Sequence, residues 1–225
     1  MSIGVDVPLR WSATRPDPDD IMGTMALLPD VLPVGPLHLR RWSPAVAAAM
    51  LVAIEESFPE LEQWMPWAQE VPTLEALSEV IRQGEIDFHA DRSWEYALVD
   101  AHTDEVLGAA GLHRTEDPEK FEIGYWVRTS RTRRGVATSV ARALVSAASD
   151  YLETARQIVI RMDQANVASA SVPRKLGFTL DAPEDRDITA KGHTGRGYVW
   201  ILELPDRGTP VASTRSPASD PPTVS

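Results

Sequence analysis

The segment Arg131-Thr132-Arg133-Arg134-Gly135-Val136-Ala137-Thr138 carries the residue types that grip phosphate. It follows an apolar stretch that reads as a strand, Phe121–Val127, and opens a helical pattern that runs to Tyr151. Small residues at 135 and 137 let a ligand approach the backbone closely. The first N–H groups of a helix lack intrahelical partners, and the helix dipole favours an anion there. Arg133 and Arg134 add two cations at the same place. The segment therefore reads either as a pyrophosphate cradle or as an ordinary strand–helix turn with solvated arginines. It is neither a Walker loop nor the three-glycine dinucleotide fingerprint. Further on, Asn166-Val167-Ala168-Ser169 and Arg174-Lys175-Leu176-Gly177-Phe178 place amide, hydroxyl and ammonium groups around a short helix. Ser169 is a hydrogen-bond donor or a helix cap, and on residue type alone Asn166 is a turn residue and Lys175 plain helix surface. Trp64-Met65-Pro66-Trp67 reads as a substrate wall or as core anchors. His113 reads as a base or as a strand-end histidine.

The elements that must position these groups alternate along the chain. Leu37–Trp42 reads as a strand. Ser43-Pro44 opens a helix over 45–57, and Thr73 caps a second helix toward Ala90. Trp94–Asp100 and Val106–Leu112 form a hairpin, and Phe121–Val127 is the next strand. Val136–Tyr151 is a helix with apolar residues at 136, 140, 144 and 147. Gln157–Met162 is a strand, Ala168–Leu176 a short helix ended by Gly177, and Tyr198–Leu204 a closing strand. This order predicts an α/β (α+β) fold, a mixed sheet with helices on its faces. Of the 18 prolines, 11 fall in 1–36 or 205–225. The tail 205–225 is rich in Pro, Ser, Thr and Asp and reads as disordered. Residues 1–36 read as a partly disordered extension, and 37–204 as the folded domain.

With 225 residues, 43% hydrophobic and 24% charged, the chain suffices for one α/β domain with a full core. Zero cysteines exclude a disulfide, a cysteine–metal site and a thiol nucleophile, and no metal site is expected. A net charge of −11 argues against nucleic-acid binding and is compatible with an amine substrate. No apolar run approaches the roughly 20 residues of a membrane helix, so no membrane partner is expected. The N-terminus lacks the pattern of a secretory signal, and the expected location is the cytoplasm.

Five segments in order resemble the GNAT superfamily of acetyl-CoA-dependent N-acetyltransferases, and its RimJ/RimL branch in particular. They are Leu39-Arg40-Arg41-Trp42, Trp64-Met65-Pro66-Trp67, Glu122-Ile123-Gly124-Tyr125-Trp126-Val127, the 131–138 loop, and the Asn166…Ser169…Lys175-Leu176-Gly177-Phe178 run. The resemblance covers residues 37–204. Thr132 stands where that family usually has Gln or Arg. The resemblance implies a mostly antiparallel GNAT-like sheet flanked by helices, with acetyl-CoA as cosubstrate and no metal. It implies direct attack of a primary amine on the thioester, the amine being a protein or peptide N-terminal α-amine or a small amine. Carried over residue by residue, it implies Glu122 as base, with His113 or water as the alternative, and Ser169 as the group facing the thioester sulfur. It gives main-chain contacts to acetyl-CoA to Trp126, Val127 and Arg128. The pyrophosphate falls to Arg133, Arg134, Gly135, Val136, Ala137 and Thr138, pantetheine amides to Asn166, and a phosphate to Lys175. Trp64, Trp67 and His113 are the substrate candidates. No tyrosine is assigned as acid. That gap gives weight to a non-catalytic acyl-CoA-binding regulatory module as the alternative, and a homodimer is left open.

Overall fold

A computed structural model describes residues 28–205. Its strands and helices follow the predicted alternation. They are β1 (Val31–Val34), β2 (Leu37–Arg41), α1 (Ala47–Trp64), α2 (Leu74–His89), β3 (Ser93–Asp100), β4 (Val106–Arg114), β5 (Lys120–Val127), α3 (Val136–Tyr151), β6 (Gln157–Asp163), α4 (Val167–Lys175), β7 (Thr179–Leu180), β8 (Glu184–Asp185) and β9 (Arg196–Glu203). One sheet holds all nine strands in the order β1-β2-β3-β4-β5-β6-β9-β7, with β8 also on β9. Every pair is antiparallel except β5–β6. Parallel neighbours need a crossover, and α3 supplies it.

The period-2 alternation of the central strands fills two cores, one on each face. From β3, Trp94, Tyr96 and Leu98 join the face covered by α3, with Leu112, Phe121, Ile123 and Leu144. Ala97 and Val99 join the other face, with Met50 and Ile54 of α1 and Leu77 and Ile81 of α2. The helices present the matching 3.6-period stripes: Val140, Leu144 and Ala147 on α3, and Leu77, Ile81, Gly84 and Phe88 on α2. Gly84 is required there, because a Cβ would lie 2.6 Å from the Trp42 ring. Thr73 caps α2 as expected, its hydroxyl accepting from the Ala76 N–H at 3.2 Å.

Three differences from the sequence reading have local causes. The sheet begins at Val31, ahead of the predicted boundary at 37. Leu32 and Val34 alternate inward and are buried, while Pro33 sits on an edge strand, where a missing donor is tolerated. α1 runs seven residues beyond 57, through Pro59, whose ring removes one helical hydrogen bond without ending the helix. β7 and β8 are two residues each, too short to show periodicity. Residues 1–27 of the extension and 206–225 of the tail lie outside the described residues.

Candidate functional site

The site begins where a ladder fails. β5 pairs with β6 only through Lys120↔Gln157, Phe121↔Ile158 and Glu122↔Val159, yet β5 continues to Val127 and β6 to Asp163. Beyond Glu122 the two strands part, and the opening passes through the sheet. Side chains from both faces line it: Glu122 and Arg161 on the α1/α2 side, Tyr125 and Ser169 on the α3/α4 side.

Strand alternation decides which main-chain groups face the opening. The Arg128 N–H donates to Leu107 O at 2.7 Å, and Trp126 O lies against Gly108, so both turn toward β4. Val127 and Tyr125 turn the other way, toward the gap. Of the three residues expected to offer main-chain contacts, Val127 faces the opening, whereas Trp126 and Arg128 do not. The Trp126 ring is core, packed on Trp67 with centroids 6.5 Å apart. The Arg128 guanidinium pairs with Glu56 at 2.5 Å and Glu105 at 2.7 Å. Tyr125 is the main-chain group that the sequence reading missed.

Glu122 is the third residue of β5 and only 8% exposed. Burial pushes its carboxyl above the usual carboxylate range, and the Arg161 guanidinium, with Nη1 2.6 Å from Oε2, opposes that rise. Arg161 reaches across the place where main-chain pairing stops, so a side-chain ion pair joins the strands there. Across the gap, the Tyr125 hydroxyl lies 3.0 Å from Ser169 Oγ and 3.3 Å from Ser169 O. Burial pushes the Tyr125 phenol up to about 12, against a smaller pull from Ser169. At neutral pH Tyr125 therefore holds its proton and can donate it. Ser169 is not the cap of α4. Asn166 is, with its Oδ1 accepting from the Ser169 N–H at 3.1 Å. The Ser169 hydroxyl is thereby left to Tyr125.

A roof closes the α1/α2 side. Trp64, Met65 and Pro66 line the cleft from the end of α1, and Arg186 and His193 line it from the β8–β9 connection. That connection is held down at several points. Lys191 N–H donates to Glu62 O at 3.2 Å, Gly192 N–H to Gln63 O at 2.9 Å, and the His193 Nε2 contacts Trp64 O at 3.2 Å. A Cβ on Gly192 would lie 2.8 Å from Gln63 O. Asp163 accepts from the Thr194 N–H at 2.7 Å and from the Thr194 hydroxyl at 3.0 Å. Burial alone would raise the Asp163 carboxyl, but the Ala165 and Thr194 N–H groups and the Thr194 hydroxyl outweigh it and hold it low. Trp67 and His113 are not in this cleft. Trp67 is 5% exposed in the second core, and His113 lies under the helices with Nδ1 3.4 Å from Glu95 Oε1.

The loop before α3 has the geometry of an anion nest. Arg133 (φ 61°) and Gly135 (φ 77°) are both left-handed with Arg134 between them, which converges successive N–H groups on one point. No side chain caps α3, so the first-turn N–H groups of Val136, Ala137 and Thr138 remain available. Arg131 and Thr132 are committed elsewhere, to Glu105 at 2.7 Å and Thr129 O at 2.9 Å. Arg133 and Arg134 are exposed and make no ion pair among the described residues. Lys175 is exposed in the last turn of α4 and makes no ion pair among them either. A Cβ on Gly135 would meet nothing within 4 Å, so the cradle is open where a ligand would arrive. These features fit acetyl-CoA: the nest and two free arginines suit a pyrophosphate, and the unpaired main chain of Tyr125 and Val127 suits an amide-bearing arm. The expected result for Gly135→Val is at least a tenfold loss of acetyl-CoA affinity, about 1.4 kcal/mol, because a β-branched residue resists positive φ and its side chain fills the cradle. Calorimetry on the folded variant checks this, and unchanged affinity would remove the loop from the site.

An Escherichia coli (strain K12) ribosomal-protein-serine acetyltransferase is 29% identical over 122 residues, 54% of this chain and 66% of that protein. A Bacillus subtilis (strain 168) protein named for ribosomal N-acetyltransferase function, YdaF, is 26% identical over 153 residues, 67% of this chain and 81% of that protein. Among solved structures, the RimL ribosomal L7/L12 alpha-N-protein acetyltransferase in complex with coenzyme A superposes with a TM-score of 0.72. It is 21% identical and covers 78% of this chain and 98% of its own. Its likeness shows the same fold. The sequence matches the acetyltransferase (GNAT) domain over residues 37–179, more than half of the chain, and the protein belongs to that family.

Proposed function

We propose that the protein transfers an acetyl group from acetyl-CoA to the N-terminal α-amine of a protein or peptide. One observation carries the reading: a buried carboxylate and a protonated phenol face one opening from opposite sides of the sheet. Acetyl-CoA supplies the thioester carbonyl, and the C–N bond forms as the C–S bond breaks. The nest at Arg133–Gly135 and the first turn of α3 would hold its pyrophosphate, and the main chain of Tyr125 and Val127 its amide arm. Glu122 takes the proton that the amine must lose. The Tyr125 hydroxyl, oriented by Ser169, offers a proton to the departing sulfur. The two proton transfers balance, so the products are an amide and a thiol.

An α-amine suits this site better than a lysine. With a pKa near 7.8 an α-amine is roughly 15% neutral at pH 7, against under about 0.1% for a lysine of pKa near 10.4. The relatives named for ribosomal-protein acetylation support a ribosomal protein as acceptor and a cytoplasmic setting. With Glu122 and Tyr125 both in place, a catalytic role is favoured over a purely acyl-CoA-binding one. The test is incubation with acetyl-CoA and a panel of N-terminal peptides, small amines and lysine peptides, followed by mass spectrometry and thiol release. The expected result is acetylation of free N-termini with stoichiometric thiol. Acetylation of lysine peptides or small amines alone would overturn the acceptor class. Binding without thiol release on any amine would overturn catalysis.

A further inference from the structure

Two arginines line the cleft, and they are used differently. Arg161 is bonded to Glu122 at 2.6 Å. Arg186 has no such partner: among the described residues its guanidinium makes no hydrogen bond, and its nearest carboxylate oxygen is Glu184 Oε1, 3.8 Å from Nε. It is nevertheless held in place. Its stem lies flat on Gly197, where a Cβ would sit 2.2 Å from Cδ and 2.9 Å from Cγ. Its main-chain N–H donates to Gly195 O at 3.0 Å. The side chain is 24% exposed, so the head is neither buried nor loose. A fixed guanidinium with its fork of donors open toward a cleft is built to receive a planar anion.

Charge balance points the same way. At rest Glu122 and Glu184 offset Arg161 and Arg186, which Glu184 links at 3.8 Å each. When Glu122 takes a proton from the acceptor and Tyr125 gives one to sulfur, the site as a whole stays balanced, but on the α1/α2 side the two guanidiniums keep only Glu184 as a counter-charge, and in a partly dry site that local imbalance is costly. The other polar residues around the cleft cannot compensate. Asp163 is consumed by Ala165 and Thr194, and His193 is engaged with Trp64 O. A carboxylate that arrives with the acceptor, a few bonds from its amine, removes the excess.

We propose that Arg186 recognises a carboxylate on the first or second side chain of the acceptor, so that the enzyme selects acidic N-termini. This rests on the reading of the site as an N-terminal acetyltransferase. The test compares kcat/KM for peptides beginning Ser-Asp, Asp-Ala, Ser-Ala and Ser-Lys, in the wild type and in Arg186→Lys, Arg186→Gln and Arg186→Glu, with melting recorded for each. At least one acidic peptide should exceed Ser-Ala by about tenfold or more, chiefly through KM. That ratio should fall toward one in Arg186→Gln, survive in part in Arg186→Lys, and give way to a preference for Ser-Lys in Arg186→Glu. A wild-type ratio near one for both acidic peptides, which needs no variant to fold, overturns the proposal. So does a preference that persists in Arg186→Gln. Either result leaves N-terminal acetylation standing, whereas no turnover on any N-terminal peptide overturns both.

Discussion

Glu122→Gln should lower kcat by roughly 10²–10⁴-fold while acetyl-CoA affinity stays nearly unchanged. The amide keeps the shape of the side chain and removes its ability to take a proton. Binding should be spared because the nest proposed to hold the pyrophosphate lies at Arg133–Gly135, on a different element. Stability should change little, since Arg161 is 27% exposed and has Glu184 within 3.8 Å as a second partner. The pH dependence gives an independent check. A base works only when ionised, and burial raises the Glu122 carboxyl. Activity should therefore fall as pH drops through a point above the usual carboxylate range, near 4.3 for glutamate. That acidic limb should be absent from the residual activity of Glu122→Gln. A variant that keeps half of the wild-type turnover at pH 7 would move the proton to water. His113, directly opposite Glu122 in the β4–β5 ladder but buried beside Glu95 and outside the cleft lining, would be the other candidate.

What the sequence disclosed follows the range of the interactions involved. α3 was legible to the residue because local pattern defines it: apolar positions at 136, 140, 144 and 147, and a glycine before its first turn. Glu122 was singled out through the family resemblance and not through local pattern, which marks only a glutamate inside an apolar strand. Tyr125 was not, although it stands three positions along the same strand. An odd separation puts it on the opposite face from Glu122, where pattern alone reads it as core. The two share a cleft only because the β5–β6 ladder ends after three pairs, and no local sequence announces where a ladder ends. Arg161 and Arg186 were silent for a related reason, since their meaning lies in a carboxylate 39 positions away for the first and in a glycine of another strand for the second. Trp67 and His113 each carried two readings, and the structure favours the inward one: Trp67, in the turn after α1, packs in the second core, and His113 is buried beside Glu95.

The Tyr125–Ser169 pair separates chemistry from scaffolding. Tyr125→Phe removes one hydroxyl and leaves the ring packed against the α3-side core. If that hydroxyl supplies the proton to sulfur, kcat should fall about 10²-fold or more. The structural cost should be about 1 kcal/mol, that of one hydrogen bond. Ser169→Ala should be milder, about tenfold, because Tyr125 can still donate to Ser169 O at 3.3 Å and so keeps one of its two orienting contacts. Neither change should unseat α4, whose cap is Asn166. Asn166→Ala is the converse control. It removes the acceptor of the Ser169 N–H and should cost about 0.5–2 kcal/mol of stability. Melting and kcat measured on the same preparations decide the matter. Turnover lost in Tyr125→Phe with melting nearly intact, against melting lost in Asn166→Ala, assigns the proton to the phenol. Wild-type turnover in Tyr125→Phe would show that the sulfur leaves without it and that the hydroxyl only ties β5 to α4.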